Sequence, residues 1–245
     1  MKNKLFITYI LTIHILLLTI IIKSDFLSQV QSIFDRNHSY SYNSFYRTTS
    51  LLLANVDGNV PDNSILFFGN SITQGLCVSA VSPKSVNFGI GADTTAGLLE
   101  RLRDYKSLEK AEIVVIEIGI NDVLNGVSLD EMISNYRKIF NSIPSNVGIV
   151  YNDILPINQN CRVIVPASGI NKQISAANTM LNELCQMRSG CFRVSSDKLL
   201  DSTGCLNMAY DYGDGFHFNT YGYLIWIEEL RREIGKAQKW TSNKQ

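Results

Sequence analysis

The sequence predicts an α/β fold, with residues 60–236 forming one doubly wound domain around a parallel five-stranded sheet. Three observations carry the prediction. Five short apolar runs are rich in β-branched residues; amphipathic helical patterns separate them; and glycine or hydrogen-bonding residues follow directly where the runs stop.

Ser64-Ile65-Leu66-Phe67-Phe68, halted by Gly69, is the first strand. Val86-Asn87-Phe88 is a weaker second. Ile113-Val114-Val115-Ile116-Glu117-Ile118 is the clearest, closed by Gly119. Val147 to Tyr151 and Phe192-Arg193-Val194 are the fourth and fifth. Leu98, Leu99 and Leu102 repeat helically after Asp93-Thr94-Thr95. Leu129, Ile133, Tyr136 and Phe140 follow a Ser128 cap with Glu131 three residues on, the spacing of a capping box. Ile174, Ala177, Met180, Leu181 and Leu184 form another face, and Leu224 to Ile234 the last helix. No internal repeat is visible, and residues 237–245 read as a polar tail.

Composition narrows the function classes. The chain has 245 residues, enough for one domain with extra chain at an end. Its 22 basic and 22 acidic side chains cancel, giving no electrostatic reason to expect a nucleic-acid partner. Three histidines and five cysteines contain no C-x-x-C or H-E-x-x-H, so neither a metal site nor any cofactor is expected.

The N-terminal end differs from the rest. Leu5 to Ile22 is 18 residues without Asp, Glu, Lys or Arg, about 27 Å as a helix, close to the bilayer core. Thr8, Thr12 and Thr19 can bond back to carbonyls one turn earlier. His14 reads as a neutral imidazole in a single transmembrane helix. Lys2 and Lys4 precede the segment, which favours a cytoplasmic N-terminus and an exported remainder. Ile20-Ile21-Ile22-Lys23-Ser24 offers no small-x-small cleavage site, so an anchor over residues 1–23 is expected before a cleaved signal, whose removal would make the protein secreted. Without those residues the chain carries 19 basic against 22 acidic groups. Residues 24–60 read as a juxtamembrane spacer, with a short helix at Ser50–Ala54 and turn formers from Asn55 to Asn63 marking entry to the 61–236 domain. In an exported domain Cys185 and Cys191 can close a small loop, Cys161 and Cys205 are a second candidate pair, and Cys77 is left over.

Ligands bind such sheets beyond the carboxyl ends of the strands. The loops there read Gly69-Asn70-Ser71-Ile72-Thr73, Gly89-Ile90-Gly91-Ala92-Asp93-Thr94 and Gly119-Ile120-Asn121-Asp122, with Asp214-Gly215-Phe216-His217 before the last helix. The histidines sharpen this. His14 lies in the apolar segment and His38 in the spacer, so a serine–histidine mechanism has only His217 for its base. Asp214, three residues earlier, can accept from its Nδ1–H and fix the useful tautomer. Ser71 ends the first strand, with a helix beginning behind it that would stabilise developing negative charge. Asn121 through its amide, and Ser71 and Ala92 through their backbone N–H groups, can form an oxyanion hole. The elbow G-x-S-x-G is absent: position 73 is Thr, and Ser168 lacks the flanking glycines.

At these four blocks, in this order, residues 64–235 resemble the GDSL, or SGNH, hydrolase family. The stretch Asn87 to Thr95 is also similar to its platelet-activating-factor acetylhydrolase branch. The resemblance implies a three-layer αβα flavodoxin-like fold. It makes Ser71 nucleophile, His217 base, Asp214 its orienting acid, and Asn121, Ser71 and Ala92 the oxyanion donors. Two positions depart from the family pattern: Asn70 stands where Asp is usual, and Ala92 where Gly is usual. The expected function is a serine esterase acting on a short acyl group of an envelope glycan or lipid. An O-acyltransferase using the same serine with a sugar hydroxyl is the nearer alternative, and a non-catalytic glycan- or lipid-binding module the more distant one. The sequence leaves the oligomeric state open.

Overall fold

A computed structural model describes residues 4, 6, 8–14, 44–158 and 167–244, and the chain divides into two units, Met1–Tyr42 and Asn43–Gln245. In the first unit residues 8–14 are helical. Thr8 and Thr12 donate their hydroxyls to the carbonyls of Lys4 and Thr8 at 2.9 and 2.8 Å, the self-satisfaction expected of threonine in an apolar helix. Among the described residues no helix is long and apolar enough to cross a membrane. Residues 15–22 of the apolar segment, and His38, lie outside the described residues.

The second unit is a parallel sheet between two helical layers. Its elements are α1 (Ser44–Asp57), β1 (Ile65–Gly69), α2 (Ser71–Gln74), β2 (Ser85–Gly89), α3 (Thr95–Arg101) and β3 (Ile113–Glu117). They continue with α4 (Ile120–Leu124), α5 (Leu129–Ser142), β4 (Gly148–Asn152), α6 (Ala167–Gln186), β5 (Cys191–Val194) and α7 (Thr220–Ser242). The strand order is β2-β1-β3-β4-β5, every pairing parallel. This is the flavodoxin-like order, and its switch point falls between β1 and β3.

Strand alternation divides the core in two. Leu66, Phe68, Val114, Ile116, Ile149 and Tyr151 face the layer that contains α3, α5 and α6. Ile65, Phe67, Ile113, Val115 and Val150 face α7 through Trp226, Ile227, Leu230 and Ile234. The three central strands, β1, β3 and β4, are buried along their whole length and so read as continuous apolar runs, while the edge strands β2 and β5 are only partly buried and give the shorter signals. Ser128 caps α5 by accepting from the Glu131 N–H at 3.2 Å.

Two boundaries differ from the sequence expectation. The short helix expected at residues 50–54 is the 14-residue α1, so residues 44–57 are an ordered part of the domain, not spacer. Tyr46 is buried, and the Asp57 carboxylate receives the N–H groups of Lys106 and Ser107. The final helix runs on to Ser242, through most of the supposed tail. Its buried residues there, Ala237 and Thr241, are small, so they lend no apolar signal; they pack over Gly148, whose missing side chain leaves room for them. Finally, Cys185 and Cys191 form a disulfide, but Cys205 does not pair. It is buried, with the Asn171 amide 3.2 Å from its sulfur; Cys161 lies outside the described residues.

Candidate active site

The switch point brings the loops after β1, β2 and β3 to one edge of the sheet, and α2 opens the first of them. Asn70 is fully buried and caps α2, its Oδ1 accepting from the Ile72 N–H at 2.8 Å. Its Nδ2 donates to Glu117 Oε1 at 3.1 Å, while the Thr73 hydroxyl donates to Glu117 Oε2 at 3.1 Å. Glu117 ends β3 directly beneath this turn. Burial pushes its carboxyl up to about 7, against the opposing hydrogen bonds from Thr73 and Asn70. The departure at position 70 now has a reason. An aspartate there would set a second carboxylate against Glu117, whereas asparagine keeps the capping acceptor and offers Glu117 a donor. Gly69 is obligatory for closeness: a Cβ on it would fall 2.2 Å from the Glu117 carbonyl oxygen.

Ser71 is the first residue of α2. That helix has one turn, so little macrodipole stands behind the serine and its own N–H is the relevant donor. Ser71 Oγ lies 2.7 Å from His217 Nε2. His217 Nδ1 lies 2.6 Å from Asp214 Oδ2. Asp214 Oδ1 also accepts the N–H groups of His217 and Phe216, at 2.9 and 3.1 Å. Burial raises the Asp214 carboxyl, but these bonds outweigh it and hold the group below the usual carboxylate range. The two side chains stay reachable, at 29% exposure for His217 and 37% for Asp214.

The Asp214–His217 loop is itself pinned. Asp211 Oδ1 accepts from the N–H groups of Gly213 and Gly215, and the Asn158 N–H donates to the Gly215 carbonyl at 2.7 Å. Asn219 caps α7 and donates back to the carbonyls of Ala209 and Asp211. Sequence reasoning missed the roles of Asp211 and Asn158: the Asp- and Gly-rich run before His217 is a trace of Asp211, and Asn158 leaves none.

Asn121 Nδ2 donates to the Asp93 carbonyl at 2.8 Å. That bond uses one amide hydrogen and leaves the second for a ligand. The Asp93 carboxylate is buried and receives Arg101 Nε at 2.8 Å, the Tyr46 hydroxyl at 2.9 Å and the Thr94 N–H at 2.9 Å. Arg101 reaches on to the Gly69 carbonyl at 3.4 Å, linking the second loop to the first. Asp122, next to Asn121, accepts from the Thr95 N–H at 2.9 Å and from its hydroxyl at 2.5 Å, which clamps the third loop to the second. Gln74 Oε1 accepts the Gly91 N–H at 2.8 Å.

Ala92 takes a positive φ of 62°, shared among the described non-glycine residues only with Asn63. Alanine pays about 1–2 kcal/mol for that conformation, though glycine would lose about 0.4–1 kcal/mol more to unfolded-chain entropy. Ala92→Gly is therefore expected to raise stability by at most about 1.6 kcal/mol, read as a higher urea midpoint with esterase activity retained. A lower midpoint would show that the position is unstrained.

The structure thus brings Ser71, His217 and Asp214 into one hydrogen-bonded chain and sets the Asn121 and Ala92 loops against each other through Asp93. Known proteins agree with this architecture. A family model for the GDSL-like lipase/acylhydrolase family matches residues 67–225. A Streptococcus pneumonia protein provisionally described as a platelet activating factor superposes with a TM-score of 0.72 at 23% identity, over 86% of this chain and 99% of its own. A GDSL-like lipase from Bacteroides thetaiotaomicron gives 0.67 at 20% identity, over 77% and 98%. An acetylxylan esterase from Geobacillus stearothermophilus gives 0.59 at 22% identity, over 71% and 94%. In sequence, N-acylneuraminate cytidylyltransferases of Streptococcus agalactiae are 26% identical over 153 residues, 59% of this chain. The chain spans about a third of the length of these curated relatives, 35%.

Proposed function

The chain belongs to the GDSL-like lipase/acylhydrolase family; from that premise we propose that it is an ester-bond hydrolase, that Ser71, His217 and Asp214 carry its chemistry and that its substrate is a short acyl ester of an envelope glycan or lipid. The continuous contact from Ser71 Oγ through the imidazole to Asp214 carries the reading. Asp214 keeps the Nδ1 proton in place, so Nε2 offers its lone pair to the serine hydroxyl. The imidazole takes that proton as Ser71 Oγ attacks the ester carbonyl, and the Ser71 and Ala92 N–H groups with the Asn121 amide receive the oxyanion. The imidazolium then protonates the departing alcohol. Water repeats the cycle on the acyl-serine and releases the acid.

The exposure of His217 and Asp214 leaves the imidazole open to water, which the hydrolytic second half of the cycle requires. The acetylxylan esterase acts, by its name, on acetylated xylan, which supports a carbohydrate ester. The sequence length and composition of residues 5–22, with Thr8 and Thr12 satisfied within their own helix, support a membrane anchor holding the domain outside the cytoplasm.

One experiment addresses site and anchor together. A serine-directed fluorophosphonate is expected to label Ser71 as hydrolysis of p-nitrophenyl acetate falls in parallel, with Ser71→Ala taking no label. The labelled band is expected in the membrane fraction at the full 27.5 kDa. Label on another residue, or turnover retained by Ser71→Ala, would remove the assignment; a shorter soluble band would replace the anchor by a cleaved signal.

A further inference from the structure

Helix α1 lies wholly upstream of the family match at residues 67–225, yet its first turn reaches the candidate site. Two adjacent residues do so differently. Tyr46 is buried, and its hydroxyl donates to Asp93 Oδ1 at 2.9 Å. Asp93 is the residue whose carbonyl holds the Asn121 amide, so Tyr46 braces the loop that orients an oxyanion donor. Phe45 is the opposite case, a large apolar side chain left 53% exposed. A methyl group placed on Gly91 would lie 3.8 Å from Phe45 Cε1 and 4.0 Å from Ser71 Cβ. Phe45 and the side chain of the nucleophile therefore border one point beside Gly91, a point that Gln74 Oε1 also approaches, at 3.0 Å.

An exposed ring at such a point loses little rotamer freedom when a ligand covers it, and offers an apolar face to either an acyl chain or the C–H face of a sugar. The buried tyrosine beside it acts through a carboxylate that also holds Arg101 and the Thr94 N–H, so removing one hydroxyl leaves the loop folded but less firmly held.

We propose that α1 completes the active site: Phe45 is a substrate-contacting wall that sets specificity, and Tyr46 is a positioning residue for Asn121 through Asp93. The proposal rests on Ser71 being the nucleophile. It predicts two different kinetic signatures from neighbouring residues on one helix.

In the full-length chain, Tyr46→Phe is expected to lower kcat by about 3- to 10-fold with KM unchanged, a fraction of the 10²- to 10³-fold typical of losing an oxyanion donor outright. Phe45→Ala is expected to raise KM by about 10-fold for p-nitrophenyl esters, and Phe45→Trp to restore it, because uniform binding is what a wall supplies. Gly91→Ala places a methyl at that point and displaces Gln74 Oε1 from it, so its effect and that of Phe45→Ala are expected to be non-additive in kcat/KM. A merely structural helix would lower kcat in proportion to the folded fraction in both variants, without separating kcat from KM; that result overturns the proposal. So do wild-type kinetics in both variants, provided the wild-type protein hydrolyses esters and takes the fluorophosphonate at Ser71. A wild-type protein that does neither defeats the Ser71 assignment first, and this proposal with it.

Discussion

Asp214→Asn is expected to lower kcat for ester hydrolysis by about 10³- to 10⁴-fold, with KM and folding close to wild type. The reason lies in what Asp214 already accepts. Its Oδ1 receives two backbone N–H groups, from Phe216 at 3.1 Å and His217 at 2.9 Å. These donors require an acceptor, so in the asparagine variant they hold the amide oxygen where Oδ1 stands. The amide NH2 is then left facing His217 Nδ1, which in the wild-type protein sits 2.6 Å from Oδ2. A donor there forces Nδ1 to accept, which moves the imidazole proton to Nε2. Nε2 then faces Ser71 Oγ with a proton instead of a lone pair, and the serine has no base. The change is isosteric and keeps the loop's backbone bonds, so a large loss of rate without loss of folding isolates the tautomer. Steady-state kinetics on p-nitrophenyl acetate would measure it; a variant within tenfold of wild type would mean that Asp214 does not orient the base.

That much of the site was legible in sequence has a physical cause. Strands buried on both faces announce themselves by continuous β-branched runs, and parallel strands joined through helices must deliver their following loops to one edge. Ser71, Asn121 and Ala92 could be placed at that edge from order alone. His217 came by elimination, since the other two histidines lie outside the domain. The supporting layer was not legible, because its bonds span the chain. Tyr46 meets Asp93 across 47 residues, and Thr73 meets Glu117 across 44. Arg101 sits where a helix between Leu98 and Leu102 would be expected to show a solvated cation, yet it is only 3% exposed and paired with Asp93. Glu117 did leave a trace: a carboxylate inside the run Ile116-Glu117-Ile118 has to find partners in the core, and identifying them needed the fold. Tyr46 belongs to the stretch that reads as spacer, and its long-range bond to Asp93 needed the fold to be seen.

Glu117 gives the largest expected effect on stability. Its carboxyl is raised from 4.5 to about 7, chiefly by burial. Between those values the folded protein keeps the proton that the unfolded chain has already released, so each rise in pH favours unfolding. The stabilisation is complete below about pH 4.5 and is lost on the way to about 7, an effect on the order of 3 kcal/mol. Asp122, raised from 3.8 to about 6 mainly by burial, contributes with the same sign over a lower window. Glu117→Gln separates the two. Its amide oxygen can accept from Asn70 Nδ2 as Oε1 does, and its NH2 can donate to Thr73 once that hydroxyl turns, so the variant imitates the protonated carboxyl. It is expected to match wild type near pH 4 and to exceed it by about 3 kcal/mol at pH 8, read from urea midpoints at the two pH values. Equal differences at both would show that the carboxyl titrates normally. The asparagine at position 70 belongs to the same balance. An aspartate in its place would add like charge beside Glu117 and push its titration higher still, whereas the Asn70 amide lets an ionised Glu117 sit under the Ser71 turn at neutral pH.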